Sequence, residues 1–239
     1  MTDQFPGGEG IFETIKTIRG LPFALSRHLE RARRSADILG MQIQNEAQIR
    51  HEITAVLAKT PESLEFGRLR ISFHKSGEIE LTHETYHPWT SPARLMILDR
   101  PIHENSPLVG IKTLPFTENV ECVRLARDAG FDDGVRFNSG GYVAESAVSN
   151  LLLKIDDRWV TPNLESGCLP GITRGLALEW FDVEEGTVAR GDLDRVESIY
   201  LLSSLKDAQP VSILEERSLV IDSVLGQEFV RRRLENIDP

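Results

Sequence analysis

Residues 110–174 decide how the chain is read. They open with Gly110-Ile111-Lys112-Thr113-Leu114, carry Gly141-Tyr142-Val143-Ala144-Glu145-Ser146-Ala147-Val148-Ser149-Asn150 in the middle, and close with Pro170-Gly171-Ile172-Thr173-Arg174. An amine, a carboxylate and a glycine-led helix start follow one another in that order. A lone lysine is usually a surface charge. Lys112, however, has apolar neighbours on both sides, and a desolvated amine is what imine chemistry needs. Glu145 ends a strand ahead of a run of small residues, where a glutamate is commonly solvated; the alternative is pairing with a cationic ring nitrogen. Asn150 reads as a strand-start or turn residue. At Pro170-Gly171 an irregular segment gives way at once to a helical pattern. The N–H groups of Ile172 and Thr173 would then point outward with the positive end of the helix dipole, and Thr173 adds a hydroxyl. Most helix starts bind nothing, so this one is a ready anion seat and no more.

Bulk properties narrow the field. At 239 residues the chain can bury one large core or two small ones. With 40% hydrophobic and 27% charged residues it has an ordinary globular composition. The formal net charge of −10 disfavours nucleic acid and anionic membranes as partners. Cys122 and Cys168 make no disulfide framework and have no partner at metal-ligand spacing, nor do the six histidines, so no metal site is expected. A reducing cytoplasm is the expected compartment. The first ten residues lack the basic start and apolar run of a signal peptide, and no apolar stretch approaches the roughly 20 residues of a membrane span. Gly7-Gly8-Glu9-Gly10 precedes a strand, so it is no phosphate-binding loop.

Patterning predicts a mixed α/β (α+β) fold. Alternation over 11–18, a turn at Arg19-Gly20 and a short return strand predict a hairpin. Ser26 is the expected cap of a helix over 27–39 that ends at Gly40. Arg27, Arg31 and Arg34 share a face away from its apolar stripe, which on spacing alone is a solvated face. A second helix is expected over 46–59, and strands over 69–73, 78–82 and 94–98. Pro101 and Pro107 bracket a linker. Residues 1–100 are thus expected to form a small N-terminal α/β domain, with 101–107 a linker and 108–239 a larger cofactor-binding domain. In that second part a helix capped by Thr117 is expected over 118–129. Strands are expected over 134–138 and 142–145, then a hairpin over 150–161 tipped by Asp156-Asp157, a helix from Gly171 to Phe181, strands over 198–204 and 210–214, and a terminal helix over 222–234. Ser203 and Ser204 end a strand as small hydroxyl donors; alone they would be a turn.

As a set, the amine, the acid and the anion seat match the needs of a pyridoxal phosphate ring: an amine for its aldehyde, an acid for its nitrogen, a seat for its phosphate. Short motifs run through most of the chain in support: Gly10-Ile11-Phe12-Glu13-Thr14, His28-Leu29-Glu30-Arg31 with Ser35-Ala36, Gly110-Ile111-Lys112-Thr113, Val143-Ala144-Glu145 with Asn150, Thr161-Pro162, Gly167 to Arg174, and Leu202-Ser203-Ser204 ahead of Pro210-Val211. In this order the chain resembles the class IV aminotransferases, the fold-type IV pyridoxal-phosphate enzymes. That group includes branched-chain and D-amino acid aminotransferases and 4-amino-4-deoxychorismate lyases.

The resemblance implies two α/β domains, the larger barrel-like, in a homodimer with pyridoxal 5'-phosphate as cofactor. It implies that Lys112 holds the cofactor and shuttles the proton, that Glu145 pairs with the ring nitrogen, and that Arg31, Ile172, Thr173 and one of Ser203 or Ser204 bind the phosphate. It thereby reverses the solvated-face reading of Arg31. The chain departs from the family pattern where many members carry Asn after the lysine segment; here Pro115 and Phe116 stand. The spacing from Lys112 to Glu118 is closer to the lyase branch.

The expected activity is amino-group transfer between an amino acid and a 2-oxo acid. The alternative within the family is 4-amino-4-deoxychorismate lyase, which releases pyruvate and forms 4-aminobenzoate. The alternative outside catalysis is a protein that binds pyridoxal phosphate without turnover. Amino transfer, pyruvate release without an acceptor, and a yellow but inert protein distinguish the three.

Overall fold

Two separate β-sheets organise the chain, and each has its own core. The structure is a computed structural model that describes residues 8–59 and 64–235. The N-terminal stretch read above as lacking a signal peptide lies, up to Gly7, outside the described residues. The chain falls into two compact units. One comprises Met1–Pro88, Ile111–Pro115 and Arg232–Pro239; the other comprises Trp89–Gly110 and Phe116–Arg231.

The first unit is built on β1 (Gly10–Ile18). Its whole length pairs antiparallel with β3 (Phe66–His74), which pairs in turn with β4 (Ile79–Thr85). The other edge of β1 is shared by β2 (Leu21–Pro22), paired at Thr17 and Ile18, and β6 (Thr113–Leu114), paired at Gly10 and Ile11. Alternation puts Ile11 and Ile15 of β1 and Leu69, Ile71 and Phe73 of β3 on one face. The helices α1 (Leu25–Ile38) and α2 (Glu46–Leu57) cover that face through Leu25, Leu29, Ala32, Ala36, Ile49 and Ile53. Asn45 caps α2 reciprocally with Gln48. Ser26 does not cap α1, which begins at Leu25, two residues before the expected start, behind Ala24 in the left-handed region at φ 55°. The Ser26 hydroxyl instead accepts from Arg50, 2.8 Å away, and so ties α1 to α2.

In the second unit, β5 (Ala93–Ile97), α3 (Thr117–Asp128), β7 (Asp133–Phe137), β8 (Val143–Ser146), β9 (Asn150–Ile155) and β10 (Arg158–Pro162) are followed by α4 (Ile172–Trp180) and β11 (Val183–Gly186). The chain continues with β12 (Val196–Ser203), β13 (Asp207–Leu214), β14 (Arg217–Ser218) and α5 (Val224–Glu235). The sheet order is β11-β10-β9-β12-β13-β5-β7-β8, with β14 paired to β13. Leu151 and Leu153 on one face of β9 and Leu152 on the other are all fully buried, as befits a strand between two neighbours and covered on both sides. The 150–161 hairpin turns at Asp156 and Asp157 with φ of 49° and 62°, the both-positive geometry that suits strand twist. α3 starts behind Phe116 with no side-chain cap, so Thr117 does not fill the capping role expected of it.

Two stretches sit elsewhere than chain order suggested. β5, read with the N-terminal half, pairs in parallel with β7 and β13 in the second sheet. Its alternation is compatible with either sheet, and the choice of partner is a long-range matter that a period-2 pattern does not encode. Conversely, Ile111–Pro115 leaves its sequence neighbours and joins the first unit, where the Lys112 carbonyl accepts from the Phe12 N–H at 2.9 Å.

Candidate active site

The expected site residues fall into two constellations, one in each unit. In the first, Glu13 stands on β1 between Ile11 and Ile15, on the helix-covered face. A buried carboxylate there needs partners, and α1 supplies two from one side. Arg31 Nε donates to Glu13 Oε1 at 2.9 Å and Arg31 Nη2 to Oε2 at 2.6 Å, while His28 Nδ1 lies 2.7 Å from Oε2. Glu13, His28 and Arg31 are all buried. Burial alone would raise the Glu13 pKa. The Arg31 charge and the hydrogen bonds from His28 and Arg31 outweigh it and hold the group at about 2. Burial also pushes His28 below its ordinary value, against the pull of Glu13 and with the Arg31 and Lys112 charges adding to it. His28 is therefore neutral at neutral pH and carries its proton on Nδ1, the only tautomer that can donate to the carboxylate.

Lys112, half-buried next to β6, reaches the same region. Its charge is felt at His28, and its Nζ lies 4.6 Å from the centre of the Phe12 ring. The guanidinium of Arg70, opposite Thr14 on β3, lies 4.0 Å from the same ring. Two cations thus share one buried aromatic, an arrangement each finds favourable and that holds both side chains in place.

In the second unit Glu145 lies near the end of β8, half-buried. Its Oε2 accepts from the Leu169 N–H at 3.0 Å and from Asn150 Nδ2 at 3.2 Å. Asn150 Nδ2 also donates to the Leu169 carbonyl at 2.9 Å, and the Gly171 N–H donates to that carbonyl at 2.8 Å. α4 starts immediately after. Its first intrahelical bond runs from the Gly175 N–H to the Gly171 carbonyl, at 2.9 Å. The N–H groups of Ile172, Thr173 and Arg174 therefore have no acceptor inside the helix. Arg174 anchors this turn from below: it donates to the Pro162 carbonyl at 2.8 Å and pairs with Glu185 of β11. At the β12–β13 turn the Ser203 hydroxyl accepts from the Lys206 N–H at 3.2 Å. Ser203 follows Leu202, which stands opposite Asn150 in the sheet.

The structure thus groups Arg31 with Lys112 in the first unit, and Glu145 with Ile172, Thr173 and the Ser203-Ser204 turn in the second. Arg31 is not on a solvated face. Glu13, His28, Phe12, Arg70 and Asn150 have no assigned part in the reading from residue types, yet two signals pointed to some of them. A glutamate on the apolar face of an alternating strand is one. A histidine at the i+3 position from Leu25, on the buried stripe of α1, is the other.

The family profile described as amino-transferase class IV matches residues 10–214. The branched-chain-amino-acid aminotransferase-like protein 2 of Arabidopsis thaliana is 23% identical over 96% of this chain, but the chain spans only 45% of that protein's length. The aminodeoxychorismate lyase of Bacillus subtilis is 23% identical, over 87% of this chain and 78% of its own. The fold IV-transaminase CpuTA1 of Curtobacterium pusillum superimposes with a TM-score of 0.83 at 26% identity, covering 95% of this chain and 86% of its own. Proteins of this class depend on pyridoxal phosphate. The residues present fit that group. Glu145 is a carboxylate oriented by two N–H donors, as a protonated ring nitrogen requires. Gly171, where a Cβ would fall 1.9 Å from Asn150 Oδ1, lets α4 start hard against Asn150, and the N–H groups of that helix start suit an anion such as a phosphate.

Proposed function

The chain is a member of the amino-transferase class IV family, and on that premise we propose that it transfers an amino group between an amino acid and a 2-oxo acid with pyridoxal 5'-phosphate. When bound, that cofactor supplies an electron sink for negative charge at the substrate's α-carbon. Lys112 Nζ would hold the cofactor's aldehyde group and, as a free amine, would carry the proton at the substrate's α-carbon. Glu145 would pair with the protonated ring nitrogen. Arg31, the N–H groups of Ile172 and Thr173, the Thr173 hydroxyl and Ser203 or Ser204 hold the phosphate. Arg70, the second cation near the Phe12 ring, would offer a charge to the carboxylate of the substrate.

The observation that carries this reading is the seating of Lys112: half-buried, against Phe12, in the unit that also holds the Glu13–His28–Arg31 cluster. Pyridoxal phosphate added to the purified protein should give a visible absorption band. Borohydride reduction followed by peptide mapping should then place the label on Lys112. A label on any other lysine would remove the assignment.

A second reading is favoured by the Bacillus relative and by the Lys112-to-Glu118 spacing: 4-amino-4-deoxychorismate lyase activity. It uses the same cofactor residues and differs in what leaves. Pyruvate released from aminodeoxychorismate without an amino acceptor identifies the lyase; amino transfer to 2-oxoglutarate or pyruvate identifies the transaminase. The family reading supports a homodimer and the cysteine usage a cytoplasmic location, and sedimentation equilibrium tests the dimer.

A further inference from the structure

We propose that Asn150 is a positioning residue that aims the Glu145 carboxylate and sets the start of α4 together, so that the ring-nitrogen acid and the phosphate seat keep one fixed spacing. The inference rests on the roles given above to Glu145 and to Ile172 and Thr173.

Asn150 is 4% exposed, so water is a poor substitute for its hydrogen bonds. Its side chain meets two acceptors, Glu145 Oε2 at 3.2 Å and the Leu169 carbonyl at 2.9 Å. Only the NH2 end of an amide can serve both, which fixes the direction in which Asn150 points. The Leu169 N–H returns to the same Glu145 oxygen at 3.0 Å, closing a ring of three hydrogen bonds. The Leu169 carbonyl also accepts from Gly171 at 2.8 Å. A continuous path therefore runs from Glu145 through Asn150 and Leu169 to the residue that begins α4. The other end of the amide closes the arrangement: Oδ1 faces Gly171 so closely that a Cβ there would lie 1.9 Å away. Gly171 is thus required by Asn150, not by its own backbone, whose φ of −68° any residue adopts. A methyl group at 171 would push the amide away from Glu145.

The test compares two ligands on apo protein: pyridoxal phosphate, and its analogue with the ring nitrogen replaced by C–H. The dissociation constant of each is read from absorbance titrations. Wild type should prefer pyridoxal phosphate. Asn150→Asp keeps the shape but sets an oxygen against two acceptors. It should lower that preference roughly tenfold, the size of one misaligned charge-assisted hydrogen bond. Gly171→Ala should lower it too, from the opposite side, and Asn150→Asp should lower it no further when added to Glu145→Gln. Any loss in the phosphate seat weakens both ligands alike and cancels in the ratio. A ratio unchanged in both single variants, with only the thermal midpoint of the apo protein reduced, would make Asn150 a packing residue and overturn the proposal. Should Asn150→Asp fail to fold, Gly171→Ala decides alone. Wild type that binds both ligands equally would overturn the role of Glu145 and this inference with it. Wild type that binds neither would overturn the cofactor reading itself.

Discussion

Glu13 and Glu145 are both held by specific donors, but by donors of opposite kind. Glu13 is matched by a guanidinium on two edges and by an imidazole N–H, all buried, and its charge is cancelled where it stands. Glu145 accepts from a backbone N–H and a side-chain amide, neutral donors that orient a carboxylate. The first arrangement spends a negative charge to fix a cation. The second keeps a negative charge aimed. On the proposed reading a ligand with an anionic phosphate and a cationic ring nitrogen would be met by one of each, and sensitivity to mutation should divide along the same line.

The bluntest way to break that division is at Lys112, the proposed covalent anchor. Lys112→Ala should remove borohydride-trapped label completely while leaving both glutamates in place. Trapping that persists on the chain would show that neither constellation serves Lys112. Next in size is a matched pair. Glu13→Gln leaves Arg31 buried without its counter-charge and should cost about 3–5 kcal/mol of apo stability in urea unfolding. Glu145→Gln, half-buried and met by neutral donors, should cost about 1 kcal/mol. Equal losses would erase the contrast.

Acid sharpens it further. The folded Glu13 value of about 2 lies below its ordinary 4.5, so below pH 4.5 the unfolded chain takes up that proton first. The stability contributed by Glu13 is complete above pH 4.5 and lost as pH falls towards 2, in total about 3 kcal/mol at 1.36 kcal/mol per unit. His28, also lowered, adds a loss that begins as pH falls below 6.5. The difference between wild type and Glu13→Gln should therefore shrink on acidification. The smallest expected effect is Arg70→Met, which removes one of the two cations on Phe12 and should change stability by less than about 1 kcal/mol. A large loss would move Arg70 into the charge-cancelled group.

Local patterns carried much of this fold. The β1 alternation, the hairpin tipped by Asp156-Asp157 and the helix behind Gly171 are each written in a short stretch, and each stands where its pattern predicted. What was not legible depends on distant partners. Ser26 is a good cap by type, yet Ala24 in a left-handed conformation lets the helix start earlier. β11 (Val-Glu-Glu-Gly) carries no strand pattern and exists because β10 offers it an edge. Spacing put Arg31 on the wrong side of α1, because an arginine becomes a core residue only when a strand supplies Glu13. Asn150, read as a strand-start or turn residue, does start β9, but its further partners at Leu169 and Gly171 lie nineteen and twenty-one residues on and leave no local pattern.

The five residues of Ile111–Pro115 belong to one unit while the chain on either side of them belongs to the other. For protein engineering this means that no single cut liberates a working module. A fragment ending at Pro88 would retain Glu13, His28 and Arg31 yet lack Lys112, and a fragment starting at Trp89 would keep Lys112 beside β6 with no β1 to pair with. Gene shuffling among relatives at that junction would separate Lys112 from the sheet that seats it. Exchanges that move residues 8–88 and 111–115 as one cassette avoid this.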